Sequence, residues 1–405
     1  MLLELPQSAL SLVVNFLVAN HDRQNMRLTC DHLLNAFDFS NLKLHLKMPF
    51  RLSSIGVQST LDQLQCFLDR CQQLTELKID SRFEADCSAE TTATIIESLQ
   101  LPTSLLNLQI REHDIKHAYF LWRLRNLVTI KISDCFMLTD ISAIQSCTVL
   151  QLLSLVRCVG LTDLSALSFC VGLQELSFQN LEKLEHLPPL ESCIYLQTLC
   201  LSDSHRLQSL SGLQSCGCLI NLKLEGCIRV KDISALESCT NLVELDLADC
   251  RSIKDFSLLQ SCSKLQYLKL HGCYISTISY LASMSCLKHL DLSYCRNIDD
   301  ISPLRHLSSL QNLCLNYTSV IDLGVLGECS SLRSLHISGC HKLDFKSARS
   351  VLSKKVQESV CFEYEGNSKR LVSDDDEADD DNMFCNGIWL DRVFNADDSW
   401  YYGAD

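Results

Sequence analysis

The amino-acid sequence predicts an α/β solenoid, a curved array whose parallel strands line one concave sheet, with a small helical module in front of it. Two observations predict the array. An apolar skeleton L-x-x-L-x-L, with Ile or Phe replacing the second or third Leu in some copies, recurs twelve times, beginning at Leu74, Leu105, Leu127, Leu150, Leu173, Leu196, Leu219, Leu242, Leu265, Leu287, Leu310 and Leu332. From Leu127 onward every step is 22 or 23 residues, a regularity that a single packed core has no reason to keep. Self-similarity at such a period marks stacked units, none of which can bury its apolar face alone. A third observation, an opening run of apolar residues at helical spacing, predicts the module.

That module, assigned to residues 1–45, contains LELPQSALSLVVNFLVANHDRQNMRLTCDHLLNAF at 3–37. Pro6 suits a helix start, and Leu10, Val13, Val14 and Leu17 fall on one helical face. The segment resembles the F-box. Leu5 and Pro6 open its first helix, Leu10, Val13, Val14, Phe16 and Leu17 take the family's apolar positions, and Asp22, Met26, Arg27, Leu28 and Cys30 follow. It departs from the pattern where no Leu follows Asp22 and where Leu33 replaces a common Trp. The resemblance implies docking on the Skp-type adaptor of a cullin ubiquitin ligase through Leu5, Pro6, Leu10, Val13, Phe16 and Leu17. A plain helical cap over the first repeat is the alternative, since repeat arrays generally need one. A secretion signal fits poorly, because Glu4 and no Lys or Arg precedes the apolar run at 9–19.

Residues 46–126 carry looser, longer repeats. Leu42, Leu44 and Leu46 form an imperfect first strand, and residues 59–71 and 88–100 read as helical. Residues 127–355 carry the regular repeats and their terminal cap, a helix at 345–352. In LVELDLADC, residues 242–250, Leu245 and Leu247 alternate with Glu244, Asp246 and Ala248, the period of a strand buried on one face. Ile253, Phe256, Leu259 and Cys262 enter the same interior from the convex side. The Asp-apolar-Ser groups at Asp140/Ser142, Asp163/Ser165 and Asp232/Ser234 suit the N-cap of a short convex helix or 3₁₀ turn. This skeleton and period resemble the leucine-rich repeats, over roughly two thirds of the chain.

Fifteen of the 24 cysteines fall in two repeat columns, eight residues after the first Leu and three before it. Placement in step with core leucines predicts small buried hydrophobes with a weak S–H donor. Related solenoids place Asn or Cys in the first column to satisfy backbone groups where the chain leaves the strand. No C-x-x-C pair signals zinc. Many free thiols suit a reducing compartment, cytoplasmic or nuclear. No apolar run is long enough to span a membrane.

Residues 356–405 change composition. Seven acids stand in eight positions at 374–381, and aromatic residues including Trp389 and Trp400 end the chain. Like-charge repulsion predicts a disordered tail.

Strand alternation turns the residues two, four, six and seven places after each first Leu toward the concave side. The later rows are richest there, and Glu244, Asp246, Asp249, Tyr267, Lys269, His271, His289, Asp291, Tyr294, Tyr317 and His336 are the candidate partner-binding residues. Exposed Tyr and His supply contact area at low entropic cost. The phosphate-loop, zincin, nucleophile-elbow and dinucleotide motifs are missing, so the expectation is a non-enzyme without cofactor or metal. A net charge of −14 with no basic stripe disfavours nucleic acid. The expected protein is a monomer that holds a protein partner on its concave face. With the F-box resemblance it is a substrate-recruiting subunit of a cullin-type ligase. The alternatives are a scaffold or regulatory protein and a secreted recognition protein.

Overall fold

The computed structural model describes residues 42–47, four positions between 62 and 69, residues 71, 73–80, 96–111, 115–343 and 360–361. The F-box-like segment, the expected terminal helix at 345–352 and, apart from residues 360–361, the acidic tail assigned to 356–405 lie outside the described residues.

Fourteen strands form one sheet in strict chain order, every neighbouring pair parallel. They are β1 (Leu42–Lys47), β2 (Leu74–Asp80), β3 (Asn107–Arg111), β4 (Thr129–Ser133), β5 (Leu152–Val156), β6 (Glu175–Ser177), β7 (Thr198–Cys200), β8 (Asn221–Lys223), β9 (Glu244–Asp246), β10 (Tyr267–Lys269), β11 (His289–Asp291), β12 (Asn312–Cys314), β13 (Ser334–His336) and β14 (Val360–Cys361). The register shifts once, between Leu42 and Lys43. β14 carries the sheet to Cys361, beyond the boundary at 355 expected from the sequence.

Just before each short strand, one carbonyl accepts two N–H groups from the next repeat. The Val128 carbonyl takes those of Gln151 and Leu152 at 2.9 and 3.0 Å, and the Val243 carbonyl those of Gln266 and Tyr267 at 2.8 and 3.1 Å. Beyond the strand the ladder continues at the seventh position, where Asp249 N–H donates to the His271 carbonyl and Tyr294 N–H to that of Asn316, both at 2.7 Å. Donating there requires a left-handed backbone. Asp134, Arg157, Asn180, Asp203, Asp249, Tyr294 and Tyr317 have φ of 54–60°, with Gly226, Gly272 and Gly339 completing the column. L-residues adopt this region rarely; the inter-repeat bond holds it.

The leucine skeleton is buried throughout, and Ile253, Phe256, Leu259 and Cys262 join it from the convex side as the alternation predicts. Each such side chain contributes about 1.5–3 kcal/mol on burial. The convex side is built of 3₁₀ turns such as Ser142–Ser146, Ser234–Ser238 and Ser257–Ser261. α-Helix occurs only before them among the described residues, at positions in 62–69 and at 96–98. The Asp-apolar-Ser groups start the turns, but one place earlier than an N-cap. Asp140 and Asp163 accept the N–H of the Ser two residues on, at 2.7 and 2.8 Å, while Ile141 and Leu164 hold the cap positions. That backbone hydrogen bond holds both carboxyls below the usual range.

One repeat breaks the convex stack. Between β6 and β7 the chain reads LEKLEHLPPLESC and makes no 3₁₀ turn. Adjacent Pro188 and Pro189 remove two donors and restrict Leu187 before them. A cleft of about 510 Å³ opens there, lined by Asp163, Lys183, Glu185, His186 and Arg206 among others.

Candidate protein-binding face

The buried cysteine column fixes the edge from which the concave residues project. Cys227, Cys250 and Cys273 donate S–H to the carbonyls of Leu201, Leu224 and Leu247 in the preceding repeat, at 3.2, 3.1 and 3.1 Å. Cys295 and Cys340 do the same to Leu270 and Leu315, both at 3.0 Å. In the repeat from Leu196 an oxygen substitutes, Ser204 Oγ donating to the Phe178 carbonyl at 3.1 Å, whereas Thr318 Oγ1 turns back within its own repeat to the Leu315 carbonyl at 2.7 Å. Burial pushes the thiols of Cys158, Cys227 and Cys295 up to about 12, so they act as donors and not as nucleophiles. Nineteen cysteines between Cys71 and Cys340 are free, and of these only Cys218 and Cys286 are exposed. Among the described residues no His, Cys, Asp and Glu group could hold a metal ion, and no helix is long and apolar enough to cross a membrane.

Parallel pairing stacks the candidate residues in straight rows. Glu244, Tyr267, His289 and Asn312 are register partners in the second-position row; Lys223, Asp246, Lys269 and Asp291 share the fourth-position row. Strand spacing is ~4.8 Å, close to ring-stacking distance. Tyr267 and His289 stack with centroids 4.4 Å apart and planes 4° apart. On the sixth and seventh positions His271 meets Tyr294 at 4.9 Å, and Tyr294 stacks on Tyr317 at 4.6 Å. Tyr317 in turn covers Gly339, where a Cβ would come within 2.5 Å of its ring. Asn312 Nδ2 lies 2.8 Å from His289 Nδ1. Burial lowers the His289 pKa to about 4, so the ring is neutral at pH 7.

The sequence places all of these residues on the concave side, but three of them sit under its surface. Glu244, Asp246 and His336 are only 3%, 1% and 6% exposed. Asp246 is a strut: its Oδ1 accepts the Ala248 N–H at 3.0 Å and its Oδ2 pairs with Lys269 Nζ at 3.3 Å. His336 Nε2 lies 3.1 Å from Ser334 Oγ. Asp291 similarly accepts the Ser293 N–H at 2.8 Å, and Asp249 pairs with Arg251 at 2.8 Å. Tyr294, at 42%, is the most exposed of the aromatic group.

Two further features were not singled out from sequence. Asp134 is buried between Arg111 Nε, at 3.3 Å, and Arg157 Nε. Their column spacing of 23 residues was the available signal. On the edge where strands begin, Val149, Phe169, Val171, Ile194 and Tyr195 are all about half exposed. Aligning the repeats by column would have shown them, since later repeats carry Thr240, Ser263 and Ser285 where Val171 and Ile194 stand.

Comparison with known proteins follows the same lines. Residues 263–306 match the family model described as leucine-rich repeats, two copies. No curated protein matches the chain significantly. Among solved structures, an internalin (inlF) from Listeria monocytogenes is 22% identical, with a TM-score of 0.49, covering 72% of this chain and 94% of its own. Internalin C2 (inlC2) from the same organism is 25% identical, with a TM-score of 0.44 and coverage of 48% and 84%. A leucine-rich-repeat protein of Leptospira interrogans is 16% identical, with a TM-score of 0.46 and coverage of 80% and 89%. Residues 263–306 thus match leucine-rich repeats, and the same buried skeleton and parallel ladder run through the rest of the described array as a repeat solenoid.

Proposed function

We propose that this chain recognises a protein partner on the concave side of its later repeats, across β9, β10, β11 and β12. The observation that carries the reading is the aromatic group that the register assembles there, Tyr267 on His289 and His271 beside Tyr294 and Tyr317. Rings held by neighbouring rings lose little freedom on binding, and interface energy concentrates in such anchors. The test is capture of partners from the native source by the full chain, wild type against Tyr267→Ala combined with Tyr294→Ala. Equal capture by both removes the reading.

The N-terminal segment supports a finer one. Leu5, Pro6, Leu10, Val13, Phe16 and Leu17 stand in an F-box-like pattern, which favours a substrate-recruiting subunit of a cullin-type ubiquitin ligase working in the cytoplasm or nucleus. A Skp-type adaptor and a cullin then copurify with the full chain, and Leu17→Asp abolishes that while the aromatic face still captures its partner. Adaptor capture that survives deletion of residues 1–37 reduces the segment to a cap for the array.

A further inference from the structure

The edge where strands begin carries apolar residues that the array itself does not require. Val149, Phe169, Val171, Ile194 and Tyr195 stand just before β5, β6 and β7 in three successive repeats, each 48–58% exposed. In the column of Val171 and Ile194 later repeats carry Thr240, Ser263, Ser285, Ser308 and Ser330 beside the same buried leucines. Packing therefore does not explain the apolar choice, and grouped exposed apolar side chains mark a contact surface. Glu191 is the one charged residue among 145–149, 168–172 and 191–195, so an apolar occupant suits this surface. Its size limits what that occupant is. Half of two aromatic and three aliphatic side chains amounts to roughly 400 Å², about half of the ~800 Å² a side that a standard interface buries. A second copy held by this edge alone falls short. A tethered segment does not, because a tether raises its local concentration to about the millimolar range.

The chain supplies such a segment. Beyond β14, which ends at Cys361, residues 384–394 read FCNGIWLDRVF and bring Ile388, Trp389, Leu390, Val393 and Phe394 close together in sequence. The 22 residues at 362–383 span up to about 75 Å when extended, and the acids at 374–381 favour extension by mutual repulsion. Along the sheet β14 is eight strands from β6, about 40 Å at ~4.8 Å a step, which leaves length to cross from the edge where strands end. Charge adds a direction. Arg123 and Arg125 are exposed on the same edge one repeat before the patch, and Asp397 and Asp398 come just after the apolar cluster. A segment travelling from the late repeats toward the early ones sets its apolar residues on the patch and these carboxylates beside the two guanidinium groups.

We propose that residues 384–398 fold back within the same chain and cover the edge where β5, β6 and β7 begin, with Ile388, Trp389 and Leu390 on Val171, Ile194 and Tyr195. The contact is separate from the concave face of the later repeats and does not depend on what that face binds.

Arg392, the only Lys or Arg after Arg370, reads the contact through trypsin. With an effective concentration near ~1 mM and a contact Kd of about 0.1 mM, docking slows cleavage there about tenfold. Val171→Ser combined with Ile194→Ser brings in the residue that later repeats already carry in that column. In single-hit digestion of the full chain this variant should be cut at Arg392 about tenfold faster than wild type, with cleavage at Lys369 and Arg370 and the melting temperature unchanged. Equal Arg392 cleavage in wild type and the folded variant overturns the proposal. Should the serine pair fail to fold, Ile388→Asp with Trp389→Asp attacks the contact from the tail and should uncover the patch, raising the emission of a dye that binds apolar surface. Unchanged emission overturns the proposal as well. Protection of Arg392 that fades on dilution, together with a sedimenting dimer that the serine pair dissociates, assigns the edge to a second copy instead. Loss of partner capture in the serine pair with Arg392 cleavage unmoved assigns it to the partner, and the intrachain contact falls.

Discussion

The repeats beginning at Leu127, Leu150, Leu173 and Leu196 and those beginning at Leu242, Leu265, Leu287 and Leu310 bury the same leucines and continue one ladder of inter-repeat hydrogen bonds. Their outward residues differ sharply. The earlier group carries Thr129, Ser154 and Ser177 on the concave rows and places Val149, Phe169, Val171, Ile194 and Tyr195 on the edge where strands begin. The later group reverses this, with Ser and Thr on that edge and stacked Tyr and His on the concave side. A solenoid makes such division cheap. Each repeat contacts only its neighbours, so outward positions vary without disturbing the core, and function settles where the rows are chemically rich.

The largest expected effect attacks what the two groups share. Leu245→Asp places an unpaired charge in the buried skeleton, which costs several kcal/mol, and should melt several repeats. An unchanged melting temperature would show the strand register to be wrong. Next comes what separates the groups. Tyr267→Ala with Tyr294→Ala should weaken partner capture about thirtyfold, a loss of ~2 kcal/mol, with little change in melting temperature. Thr129→Ala with Ser177→Ala on the earlier rows should change neither. If the earlier pair matters more, the binding face belongs to the other half.

The cysteine column offers a finer probe of the shared frame. Cys250→Ala removes an S–H donor and leaves a small cavity, which should cost about 1–2 kcal/mol in denaturant unfolding. Cys250→Ser should cost less, because Ser204 already performs the same task in its own repeat. Equal losses would mean that the sulfur acts by volume alone.

The smallest effect is a pH slope confined to the later group. His289 titrates near 6.5 when unfolded and near 4 when folded. Between those values the unfolded state binds more protons, so its contribution is complete above pH 6.5 and lost as pH falls toward 4. The wild type should therefore lose about 1 kcal/mol more stability than His289→Gln between about pH 7 and 5, the full shift being roughly halved by solvent screening. Parallel pH profiles would place the imidazole in water.

Legibility followed the same divide between repeated and singular features. Leu245, Leu247, Ile253 and Phe256 could be assigned to the core because alternation and period each fix a burial direction. The aromatic residues could be placed on the concave side for the same reason. Their pairing could not, since Tyr267 reaches His289 only through a register that 22-residue and 23-residue steps bring into line. Exposure was harder still. Asp246 and Tyr294 both point away from the leucines, yet one is a buried strut and the other the most exposed ring of its group.

By itself the sequence determined a parallel solenoid, its repeat boundaries, its cysteine columns and the side on which Tyr and His project, because each follows from a local period that stacking multiplies. Only the tertiary structure decided the left-handed column at the seventh position, the break in the convex stack at Pro188 and Pro189, and the burial of Glu244 beside Tyr267. Those depend on contacts between repeats some 23 residues apart, where the height of one side chain decides whether its neighbour meets water or protein.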